Sequence, residues 1–147
     1  MQTPAGVAST TATANAKAAA SQRPQAFAGQ LAADGQQLDC AVWRARTFTQ
    51  RARGLLWFAP LIPGEALWID RCPSIHTVGM GYAIDVLFLD AQGRVLRVAQ
   101  AVQPLRFRLC PGAVSVVELL AGQAQALGLR TGQCLTAGIT SPDSSRA

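Results

Sequence analysis

Lysine is almost missing from this 147-residue chain, with one against twelve arginines. Histidine and tyrosine occur once each and methionine twice. No block of like charges occurs, which excludes a basic tail for nucleic acid. Zinc-finger spacing, an RNA-recognition aromatic motif and a basic heptad region are also absent, so nucleic acid is not an expected partner. No apolar run reaches the roughly 18 residues of a membrane-spanning helix. Residues 1–21 lack the basic start and apolar core of a secretory signal, and Lys17 is the only positive charge there. The expected location is therefore the cytoplasm, or the periplasm if translation starts elsewhere. The four cysteines, Cys40, Cys72, Cys110 and Cys134, form no C-x-x-C pair. That excludes the common redox and zinc-ribbon arrangements and leaves free, mostly buried thiols as the expectation. No cofactor and no metal are expected.

What is present is half hydrophobic, but 27 of the residues are alanine, so the large-side-chain core is smaller than that fraction suggests. The net charge of +5 favours anionic partners. Residues 1–38 hold twelve alanines among Thr, Ser, Gln and Gly, with Phe27 and Leu31 the only large apolar side chains before Leu38. Such a segment buries too little apolar surface to offset its ordering entropy, and a disordered leader is expected over 1–38. Residues 139–147 read as a polar tail. One domain is expected over 39–138, large enough to fold independently.

Within it, 40–45 reads as a strand. Thr47 to Gln50 is a capping-box pattern opening a short helix, with Phe48, Ala52, Leu55 and Leu56 on one face. Pro60 and Pro63-Gly64 make a loop, 65–70 a strand, and 72–80 an irregular stretch. Residues 84–90 are apolar on both faces and so predict a central strand. Asp90 to Gly93 is a hairpin turn before a return strand over 94–102. Leu105, Phe107 and Leu109 alternate with Arg106 and Arg108, which predicts a short edge strand with the arginines outward. Strands over 114–119 and 133–137 flank a short helix over 122–127, closed by Gly128 in a Schellman cap. The expected class is α+β, mainly antiparallel β: a small curled sheet forming a partly closed barrel or sandwich with two short helices.

Four pieces occur in one order: Arg53-Gly54-Leu55-Leu56; 84–90 with Gly93; Pro104; and Val117-Glu118-Leu119 with Gly122, Gly128 and Gly132. Together, over about residues 40–137, they resemble DUF192, a small bacterial and archaeal domain family of unknown function. Cys72-Pro73-Ser74-Ile75-His76-Thr77 resembles a sub-group carrying Cys-x-x-Ile-His-Thr, some members of which lie near pilus or secretion genes. Where the family has Pro before Ile-Asp this chain has Ala83, and where it has Asp in a Gly-Asp turn this chain has Gln133. The resemblance implies a compact β-rich fold and no established activity.

The residues that carry chemistry admit two readings each. His76, the only histidine, is an acid–base group or a structural hydrogen-bonding residue. Asp85, inside an apolar strand, needs a partner, with Arg53 first and then His76 or backbone N–H groups. Glu118 poses the same question. Cys72 and Cys110 stand beside prolines on either side of the central hairpin and are a candidate disulfide; Cys72 with His76 is the enzymatic alternative. Arg44, Arg46, Arg51, Arg53, Arg106 and Arg108 are either a basic patch or a solvated surface. The expected function is an accessory or binding module. It would take a small anionic ligand or a protein partner at a site of Arg53, His76, Thr77, Asp85 and Glu118. The alternative is a small Cys/His or metal-assisted hydrolase.

Overall fold

Residues 84–89, every one of them buried, form the strand around which the molecule is arranged. The computed structural model describes residues 26–47, 51 and 60–138. Nine strands are found there: β1 Ala26–Ala33, β2 Gln36–Ala45, β3 Glu65–Asp70, β4 Ser74–His76, β5 Ile84–Leu89, β6 Val95–Val102, β7 Phe107–Leu109, β8 Ser115–Leu120 and β9 Leu135–Gly138. One four-residue helix, α1, spans Gln123–Ala126. Seven strands make one sheet in the order β6-β5-β8-β3-β2-β1-β9, and β4 and β7 make a separate ribbon. All pairings are antiparallel except β2 with β3, where Ala41 faces Glu65 and Ala45 faces Ile69. A parallel pair requires a long crossover, which the connection over 46–64 supplies.

Alternation along the strands sorts the side chains onto two buried faces. Trp43, Leu67, Ile69, Val86, Phe88 and Val116 lie on the first, covered by Leu61, Ile75 and Cys110. Leu31, Val42, Trp68, Leu87, Val117 and Leu119 lie on the second, covered by Ala124 and Leu129. Both faces of the central strands are therefore dry, which is why 84–89 shows no polar–apolar alternation.

Local chemistry sets the turns. Between β5 and β6, Asp90 Oδ1 accepts the N–H groups of Gln92 and Arg94, each at 2.9 Å. Gly93 there has φ +80°, and a Cβ on it would lie 2.6 Å from the Leu135 carbonyl oxygen, so only glycine fits. After α1, Leu129 N–H donates to Ala124 O and Gly128 N–H to Gln125 O, which is the expected Schellman cap.

Three expectations require correction. Residues 26–38 belong to the sheet rather than to a disordered leader: β1 pairs with β2 on one side and β9 on the other, and Leu31 is fully buried. The fold boundary moves from 39 to 26 because those two ladders supply what the alanine-rich composition lacks. Of the two expected helices, the one over 122–127 is found as α1, and the one expected after Thr47 lies outside the described residues except for Arg51, whose N–H donates to the Thr47 carbonyl at 3.0 Å. The sheet is not closed into a barrel. Its outer strands β6 and β9 approach where Arg94 and Cys134 form a single bridge, and no continuous ladder joins them. Finally, the arginines of 105–109 do not form the outer face. Arg108 pairs with Ile75, which is buried, so Leu109 and Phe107 face outward with Ser74 and His76.

Candidate functional site

Asp85 is buried on the second face, and its carboxylate holds three separate segments together. Oδ1 accepts the Ala101 N–H at 2.8 Å. Oδ2 accepts Gly122 N–H at 2.9 Å and Ala124 N–H at 3.0 Å. Gly122 is the N-cap of α1 and offers no side chain, so a carboxylate from β5 does the capping instead. Ala101 has φ +50°, an unusual backbone that the same carboxylate helps to hold. Of the partners expected for Asp85, the backbone N–H groups are the ones observed. Arg53 lies outside the described residues.

Glu118 sits on the opposite face. It pairs with Leu67 of β3 and Val86 of β5, one on each side, and Val86 alternates with Asp85 along β5. Its Oε2 has no hydrogen-bond partner among the described residues, and burial pushes its pKa up from 4.5 to about 7. Asp85 and Glu118 therefore belong to different environments, and the sheet lies between them.

His76 and Thr77 end β4. Thr77 is fully buried; its Oγ1 donates to the Gln103 carbonyl at 2.7 Å and accepts the Arg106 N–H at 2.8 Å. The Thr77 N–H in turn donates to the Arg106 carbonyl at 2.9 Å. Thr77 thus ties β4 to the segment entering β7 and sets the register of the ribbon. His76 is exposed opposite Phe107. Among the described residues it makes no side-chain hydrogen bond to a carboxylate or a thiol.

The cysteines are all free. Ser74 pairs with Leu109, and Cys110 N–H donates to the Pro73 carbonyl, so Cys72 and Cys110 lie one register step apart just beyond the paired ends of β4 and β7. Cys72 Sγ donates to the Ser74 carbonyl at 2.8 Å, and burial raises its pKa, with the Glu118 charge acting the same way. Cys40 is pushed up to about 12, chiefly by burial and then by Asp39 and Glu65. Neither is an activated thiolate. Groups of three or more His, Cys, Asp or Glu side chains arranged to hold a metal are not found among the described residues. A shallow cleft lined by Gln30, Gln37, Leu38 and Asp39 contains none of the candidate residues.

Of the arginines expected in a basic patch, Arg53 lies outside the described residues and Arg44 is already paired. Arg44 makes a bidentate pair with Asp70 at 2.8–2.9 Å and lies 5.0 Å from the Trp68 ring centre. Arg106 and Arg108 belong to the ribbon. Beside them stands the feature the sequence reading assigned to the wrong face: Leu105, Phe107 and Leu109 are 69%, 63% and 50% exposed, with Val78 exposed as well. The period-two alternation was visible in the sequence. What would have oriented it is the pairing of Arg108 with buried Ile75, a contact across 33 positions.

The fold and its buried carboxylates define a small mixed β-sheet domain with an attached two-stranded ribbon. The chain belongs to the DUF192 family, described as an uncharacterized ACR, whose pattern matches residues 29–137. No curated protein matches it. Two solved structures share the fold. One is a Novosphingobium aromaticivorans protein of unknown function, 22% identical, with a TM-score of 0.65 over 73% of this chain and 83% of that one. The other, from Sinorhizobium meliloti, carries the description "putative transcription regulator". It is 21% identical, with a TM-score of 0.67 over 76% of this chain and 94% of that one. No helix among the described residues is long and apolar enough to cross a membrane.

Proposed function

We propose that this domain is a binding module that docks a protein partner on the outer face of the β4–β7 ribbon. The observation that carries the reading is the exposed apolar stripe of Leu105, Phe107 and Leu109. Two large apolar side chains on one face of β7, with a third just before it at Leu105, are unlike the scattered singles of an ordinary surface. His76 sits within this face opposite Phe107, and Thr77 holds the ribbon in register from beneath. The roles expected at the candidate site then divide. His76 belongs to the docking face, Thr77 positions it, and Asp85 maintains the domain that carries it. The Cys72–Thr77 run, which shapes the ribbon's first strand, is our basis for placing the chain in the Cys-x-x-Ile-His-Thr sub-group.

A protein partner is favoured over a small anion because Asp85 and Glu118 lie on opposite faces of the sheet and do not converge with His76 on one pocket. A hydrolase reading gains no specific support. Cys72 donates its proton to a carbonyl, and its pKa is raised rather than lowered.

The test is a photo-crosslinking side chain placed at position 107 of the full chain, expressed in its native host. The expected outcome is one discrete adduct that is lost when Leu105→Ser and Leu109→Ser are added. The same probe at exposed Thr136 on β9 serves as the control. A fully folded chain that yields no adduct from position 107, or the same adducts from both positions, overturns the reading.

A further inference from the structure

Among the described residues the ribbon has only two strands, so β7 has β4 on one side and an edge that no described strand pairs on the other. Thr77 N–H donates to Arg106 O and Cys110 N–H to Pro73 O, which makes 77 with 106 and 73 with 110 the hydrogen-bonded pairs. By the alternation of an antiparallel ladder, the backbone groups of Phe107 and Leu109 then point away from β4, toward the open edge. Two arginines stand over that edge. Arg106 Nη1 donates to the Leu105 carbonyl at 3.3 Å and Arg108 Nη1 to the Phe107 carbonyl at 2.9 Å. Arg108 thus caps an outward carbonyl of β7, as charged side chains do on edges that must not pair indiscriminately, and Arg106 caps the carbonyl of Leu105 just before the strand.

The stretches of chain that carry and flank the ribbon have charge of one sign. Residues 71–84 and 91–117 contain Arg71, Arg94, Arg97, Arg106 and Arg108 and no Asp or Glu. Of the acids bordering these stretches, Asp70 is held by Arg44, Asp85 by backbone N–H groups and Asp90 by its own turn. Glu118 is buried.

Building on the proposed docking role of the ribbon, we propose that the open edge of β7 receives an extended segment of a partner protein in which acidic and apolar residues alternate. Its backbone pairs with Phe107 and Leu109 as an added strand. Its apolar side chains lie beside Leu105, Phe107 and Leu109 on the outer face. Its carboxylates fall on the alternate side, where the guanidinium groups of Arg106 and Arg108 lie. A guanidinium–carboxylate pair is stronger than a guanidinium–carbonyl bond, so an acidic strand draws each arginine off its carbonyl and frees that carbonyl for the ladder. A neutral or basic strand offers no such exchange. A second copy of the chain is a poor occupant. The antiparallel registers that pair Phe107 with Phe107 or with Leu109 of a second β7 set arginine opposite arginine, which is destabilising.

The test uses the full chain, isotope-labelled, with an acetylated and amidated Val-Glu-Val-Glu-Val-Glu-Val peptide as probe. Two control peptides replace Glu by Lys or carry N-methyl groups along one edge. The expected result is amide exchange at Phe107 and Leu109 slowed by about tenfold or more by the Glu peptide alone. Affinity should fall by about tenfold in Arg108→Gln and in Arg106→Gln, both with unchanged melting temperature. Equal binding of the Lys or N-methylated peptide overturns the inference, as does displacement of the peptide by phosphatidylglycerol vesicles. Slowed exchange in the concentrated protein without any peptide overturns it in favour of a second copy. Perturbed side chains of Leu105, Phe107 and Leu109 with unprotected amides overturn strand addition but leave ribbon docking standing. Failure of the docking role itself is read separately, from the absence of an adduct at position 107.

Discussion

At the scale of single residues, two buried carboxyl groups behave in opposite ways because their surroundings differ. Asp85 receives three N–H donors, so burial is compensated. Asp85→Ala leaves those donors without an acceptor and is expected to destabilise the domain by about 3–5 kcal/mol, on the scale of bonds to a charged group. Asp85→Asn is expected to cost roughly half as much, since an amide retains one acceptor oxygen. Denaturant unfolding of both variants measures this, and a loss within about 0.5 kcal/mol for Asp85→Ala contradicts it. Glu118 has no hydrogen-bond partner at Oε2 among the described residues. Its pKa is raised from 4.5 to about 7, so the native state holds a proton that the unfolded chain releases. The resulting stabilisation is complete below about pH 4.5 and is lost as pH rises through about 7, flattening above. Unfolding free energy is therefore expected to decline across that window by a few kcal/mol in the wild type. Glu118→Gln, which stays neutral, is expected to flatten that decline and to be the more stable protein at pH 8. A pH series of chemical melts decides it: an equally steep decline in Glu118→Gln places its origin elsewhere.

At the scale of elements, β1 is the strand whose importance the composition conceals. It joins β2 to β9 in the sheet order and places Leu31 and Ala33 in the second core. Fully burying one leucine contributes about 1.5–3 kcal/mol, and β1 adds a ladder on each side. Deleting residues 1–36 removes β1, frees one edge of β2 and leaves β9 without its partner strand. A broad, low-temperature transition or aggregation is the expected outcome in calorimetry. Leu31→Ala in the full chain tests the same point without truncation and is expected to cost about 2–5 kcal/mol. A truncated protein that melts as the full chain does would show that β1 adds nothing to the fold. β7 presents the reverse case: three residues long, with an exposed stripe and one open edge, it is poorly suited to stability and well suited to contact.

At the scale of the whole molecule, the buried sheet and the exposed ribbon divide the work. The seven-stranded sheet is dry on both faces of its central strands, and Thr77 fastens the ribbon to it from the inner side. Substitutions on the two sides of the ribbon should therefore separate. Leu105→Ser and Leu109→Ser remove exposed side chains and are expected to change the unfolding free energy by no more than about 0.5 kcal/mol each while improving solubility. Ile75→Ala, on the inner side of the same ribbon, is expected to cost about 2–5 kcal/mol. Chemical denaturation of the three variants checks the division, and comparable losses from Leu109→Ser and Ile75→Ala would show that the stripe is part of the core.

What the sequence by itself determined is local. Strands over 65–70, 84–89 and 95–102 follow from apolar runs, the β5–β6 turn from Asp90 and Gly93, and the helix end from Gly128. In each case the decisive contacts lie within a few positions. The family is also legible, because its motifs are short and ordered. Four features became visible only in the tertiary structure. β1 is a strand because residues 36–44 and 135–138 pair with it. Residues 101, 122 and 124 supply the donors that hold Asp85. Glu118 lies between Leu67 and Val86, its Oε2 without a hydrogen-bond partner among the described residues. The stripe of 105–109 faces water because Arg108 sits opposite Ile75. A period of two says that a strand has two faces; which face is buried depends on what the rest of the chain places against it.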